Sequence, residues 1–124
     1  MVGINKHDIY LEAFNSHFSG NKELSGVFLV LNKYVTEWTS TDKKIKNLLN
    51  NAYLYDLLEE NKSDVILDVI KWLKREKEIL KEVYPHQEEE INTYLECLVE
   101  YEGIVKATVE NGFSYYKNLV ANNK

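Results

Sequence analysis

The stretch that most limits the fold is the last third of the chain. At 100° per residue, Ile91, Tyr94, Leu95, Leu98, Val105, Val109, Phe113, Tyr116 and Val120 fall within one arc over about thirty residues. A strand cannot keep that phase, so the segment predicts one long helix, with a kink allowed at Asn111-Gly112. Beside this arc lies a second one containing Cys97, Tyr101, Ile104, Tyr115 and Leu119. About half of the circumference is therefore apolar, and the helix is expected to touch neighbours on two sides.

The rest of the sequence supplies those neighbours. Asn5 can cap a helix over 6–19 with Ile9, Tyr10, Phe14 and Phe18 at helical spacing, and Gly20 stands where a helix C-terminus favours glycine. A second helix opens at Asn21 or the residue after it and carries Leu24, Val27, Phe28, Leu31, Tyr34, Val35 and Trp38. The rival reading, a hairpin with arms Val27–Leu31 and Tyr34–Trp38, lacks alternation and a glycine in its turn. Ser40, Thr41 and Asp42 begin a third helix with Ile45, Leu48, Leu49 and Ala52 on one stripe. It runs into Tyr53–Leu58, apolar all round and so expected to be buried or in contact with a partner. Ser63 caps a fourth helix that carries Ile66, Val69, Ile70, Leu73, Leu80 and Tyr84 and ends at Pro85.

The 124 residues hold one proline and five glycines, too few turn signals for a sandwich or barrel. A composition that is 44% hydrophobic can bury enough apolar area to offset its conformational entropy, which excludes disorder. The expected fold is all-α, a single-domain bundle of about five helices over residues 1–124 with a long C-terminal helix.

Charge narrows the function classes. The net charge is -5 and fourteen of the fifteen basic residues are lysine, with Arg75 the only guanidinium, so a nucleic-acid footprint is not expected. Residues 86–124 carry three basic and seven acidic groups, making the C-terminal third the acidic part of the chain. No segment is long and apolar enough to span a bilayer, and residues 1–6 lack the apolar run of a signal peptide. One cysteine, Cys97, permits no internal disulfide and no thiolate zinc cluster. These features predict a soluble cytoplasmic protein, and the abundance of Asn, Lys, Tyr and Ile fits an AT-rich bacterial or phage genome.

Motifs that carry chemistry are scarce. There is no nucleophile elbow, phosphate loop or dinucleotide fingerprint. His7 and His17 point about 80° apart on their helix, so they cannot share a metal unaided. His86 with Glu89 and Glu90 has metal-ligand spacing, but three glutamates also suit the first turn of a helix. Glu59, Glu60, Asp64 and Asp68 lie close in sequence without the paired acidic spacing of magnesium-dependent nucleotide-cleaving bundles. Cys97, between Glu96 and Glu100, reads as packed and inert. No cofactor is expected.

The anomalies are two charges in apolar stripes. Glu102 projects near the centre of the arc, between Leu98, Val105 and Val109, and Lys77 interrupts the stripe of the fourth helix. A buried carboxylate needs a partner, so the two are expected to be buried and paired across antiparallel helices. Glu96 and Glu100, with Tyr101 and Tyr115 beside them, form an acidic, tyrosine-bearing face suited to recruiting a basic protein. Candidate binding residues are thus Glu96, Glu100, Tyr101, Tyr115, Glu102 and Lys77. The leading functional expectation is a non-enzymatic interaction module of the antitoxin or immunity type that binds a basic partner. A homodimer through Tyr53–Leu58 and the second arc is compatible with it. The alternative is a small-ligand or nucleotide-handling bundle with carboxylates as metal ligands.

Overall fold

The computed structural model describes residues 21–36, 40–75, 77–83 and 85–123. The expected first helix, with His7 and His17, lies outside them, as does Trp38. Among the described residues all regular structure is helical, and an all-α bundle with a long C-terminal helix is observed. The helices are α1 (Lys22–Thr36), α2 (Thr41–Leu49), α3 (Ala52–Glu59), α4 (Ser63–Arg75), α5 (Lys77–Val83), α6 (Glu88–Asn111) and α7 (Phe113–Asn122).

Short polar side chains set the starts. Asn21 Oδ1 accepts from the Leu24 amide at 3.0 Å, Ser40 Oγ from Lys43 at 3.3 Å and Asn51 Oδ1 from Leu54 at 3.0 Å, each satisfying an amide that has no helical partner. In α1 the residues Leu24, Val27, Phe28 and Leu31 are buried, which removes the hairpin reading of Val27–Leu31. The expected third helix is interrupted. Asn50 closes α2, and Asn51, in extended conformation, caps α3. Leu54, Leu57 and Leu58 of the segment expected to be apolar all round are buried, Tyr53 and Tyr55 are half-buried, and Asp56 is exposed.

Asn61 adopts positive φ (63°) after α3, and Lys62 N–H returns to the Leu57 carbonyl at 2.8 Å. This is a Schellman closure with asparagine in the place glycine usually takes. It turns the chain into α4, whose Ile66, Val69, Ile70, Trp72 and Leu73 are buried. The long C-terminal helix divides at Gly112, where φ 92° and ψ 163° stop α6 and start α7.

α6 is the axis of the bundle and packs against α1, α2, α4, α5 and α7. Lys74 of α4 bonds Glu102 of α6, while Ser63 and Thr108 line one cavity, so α4 and α6 run antiparallel, as expected. α1 also crosses α4, with Phe28 and Trp72 edge to face at 5.9 Å. α1 and α3 approach closely at Gly26, where a Cβ would stand 2.5 Å from the Tyr53 hydroxyl.

Candidate functional site

The buried side of α6 decides what its outer side can offer. Ile91, Tyr94, Cys97, Leu98, Tyr101, Val105 and Thr108 are buried. Their mean direction lies about 60° from the centre of the arc read from sequence, toward Tyr101. On the opposite side Asn92, Leu95, Glu96, Val99 and Glu100 line a shallow hollow of about 540 Å³. Val99 is 55% exposed at its middle, Leu95 is half-buried beside it, and Asn92, Glu96 and Glu100 are exposed around them. The result is an apolar centre with an acidic rim, some two helical turns long.

The other candidates fall elsewhere. Tyr101 is fully buried, and its hydroxyl lies 2.7 Å from the Tyr116 hydroxyl. It is a core residue and not the surface anchor expected from sequence, because the rotation of the core face carries it inward. Tyr115 on α7 is half-buried. Glu102 is largely covered, with 15% of its side chain exposed, and its partner is Lys74, at 2.8 Å, with Lys106 at 4.0 Å. Lys77 is exposed and does not make the expected pair. The register of α4 on α6 explains the correction: it sets Lys74 opposite Glu102, and Lys77 lies beyond the end of α4.

Cys97 behaves as read. Burial pushes its thiol up to about 12, Lys44 pulls it down and Glu100 adds to the rise. The thiolate fraction at neutral pH is therefore negligible. Asp64 and Asp68 are exposed, and among the described residues no group of three or more His, Cys, Asp or Glu side chains could hold a metal ion. Among those residues no helix is long and apolar enough to cross a membrane.

Two features escaped the sequence reading. Lys44 is fully buried on α2. Its signal was its place one turn before Leu48, on the stripe that faces α6. The second is a groove of about 450 Å³ between the α2–α3 elbow and α7, lined by Leu49, Asn50, Ala52, Tyr55, Asp56, Lys117 and Val120 among others. It exists because the third helix is broken, which the periodicity did not reveal. Comparison with protein-family models, curated proteins and solved structures finds no match for this chain.

Proposed function

We propose that the protein is a non-enzymatic binding module whose acidic α6 strip holds a basic, amphipathic helical segment of another protein. What supports this reading is Val99, 55% exposed at the centre of the hollow and flanked by Glu96 and Glu100. An exposed aliphatic residue inside an acidic rim suits a partner that brings apolar side chains on one face and lysines or arginines beside them. The strip spans only about two turns, so the contact is of the small, transient class, with association helped by charge.

The test is a titration of isotope-labelled protein with a helical Lys/Leu heptad peptide, with an equally long oligolysine as control. Amide shifts should concentrate at residues 92–100, weaken as salt is added and vanish in the Glu96→Lys/Glu100→Lys variant. Val99→Asp should remove binding of the heptad peptide while leaving the weak response to oligolysine. A silent 92–100 segment, or a magnesium-dependent nucleotide hydrolysis by the purified chain, overturns the reading.

A further inference from the structure

We infer that α7 exchanges between two copies of this chain by opening at Gly112, giving a dimer in which residues 88–122 form one continuous helix. The bend between α6 and α7 depends on one residue. Gly112 holds φ 92° with ψ 163°, a region of backbone space open essentially to glycine alone. Nothing on either side of it breaks a helix, and Asn111 and Phe113 are themselves helical.

The sequence is already in phase for the straight form. Val109, Phe113, Tyr116 and Val120 stand at i, i+4, i+7 and i+11, one stripe of a continuous helix. In the bent form this stripe is divided. Tyr116 and Val120 are buried against the bundle, whereas Val109 is 59% exposed at the end of α6. The bend also costs helical hydrogen bonds. No side chain caps α7, and the Tyr115 amide reaches only the Gly112 carbonyl, at 3.1 Å. Joining α6 to α7 restores the i to i−4 pattern across the gap.

What holds α7 down is its place on the bundle. The Phe113 ring meets Tyr55 edge to face at 5.0 Å, and the Tyr116 hydroxyl meets that of Tyr101. The α7 of a second copy supplies the same groups to the same place, so exchange conserves each of these contacts and straightens both hinges. Val109 then provides an apolar contact where the two straightened helices cross.

Gly112→Ala is the direct test. A Cβ there meets no atom within 4 Å, so the substitution acts through the backbone alone. It disfavours the bend and favours the straight helix, a combined shift on the order of a hundredfold at each hinge, which enters twice in the dimerisation constant. Light scattering after size exclusion, over a concentration series, should show the wild type mainly monomeric and the variant dimeric. In dimers mixed from labelled and unlabelled chains, an interchain nuclear Overhauser contact between the Tyr55 and Phe113 rings identifies exchange. Adding Val109→Lys should weaken that dimer. A monomeric Gly112→Ala with only a lower melting temperature overturns the inference, as does a dimer without the interchain ring contact. Should Gly112→Ala not fold, wild-type protein refolded at high concentration is read by the same contact, and a solely monomeric product overturns it.

Discussion

Lys74 and Glu102 stand at the edge of the α4–α6 interface, where one partner is more than a third exposed and the other nearly covered. Solvent around the ammonium screens the pair, so its worth lies near that of a surface bridge and well below that of a buried one. A double-mutant cycle of Lys74→Met with Glu102→Gln should give a coupling of about 0.5–1 kcal/mol, and the same cycle with Lys77→Met about zero. Deeper in, burial holds two groups protonated, the Cys97 thiol raised from 9.0 to about 12 and the Tyr116 phenol from 10.0 to about 12. The folded chain therefore keeps protons that the unfolded chain releases as pH rises above 9. Their contribution to stability is complete below pH 9 and lost progressively toward pH 12. Urea midpoints measured between pH 8 and 11 should fall with pH, and Cys97→Ala should flatten the first part of that decline, between 9 and 10. Periodicity made Glu102 legible as an anomaly because it counts position around one helix. It misassigned the partner because the choice between Lys74 and Lys77 depends on the sliding register of two helices, which neither helix encodes alone.

Among the elements, α2 and α3 show how a break hides inside an unbroken apolar stripe. Ile45, Leu48, Leu49 and Ala52 keep helical spacing up to the elbow, yet Asn51 leaves the helix and caps the next one. The competition lies in the asparagine side chain, which offers the Leu54 amide the acceptor that a continuous helix would supply from its backbone. Asn51→Ala should cost about 1 kcal/mol in chemical denaturation, with Asn51→Gly costing less. The loss should accompany faster amide exchange at the start of α3. α1 and α6 were legible from their patterns because each buries one broad stripe and meets no internal cap. The division at Gly112 was legible only as an allowed kink, since the apolar phase on its two sides agrees with a straight helix and glycine's freedom alone makes the turn.

For the whole molecule, the acidic character of the C-terminal third translates into a surface that the fold leaves open. Glu96 and Glu100 are exposed and make no ion pair among the described residues. Reversing both to lysine should move stability by less than about 0.5 kcal/mol, read by thermal melting. Each reversal adds two units of charge, so the net charge falls in magnitude from -5 to -1. Association with the Lys/Leu peptide at low salt should slow accordingly, and an unchanged melting temperature separates that effect from unfolding. Composition and charge located this surface in the sequence, but its apolar centre at Val99 became visible only once the core face of α6 was fixed, because Val99 and the buried Leu98 are neighbours that differ by a single rotation step. The position of Cys97 carries a separate consequence. As the only thiol in the chain and one enclosed at the helix that α1, α2, α4, α5 and α7 pack against, it can be alkylated only when those helices part. The modification rate in native buffer thus counts opening events of the core, giving the chain an internal clock for its own fluctuations without any introduced label.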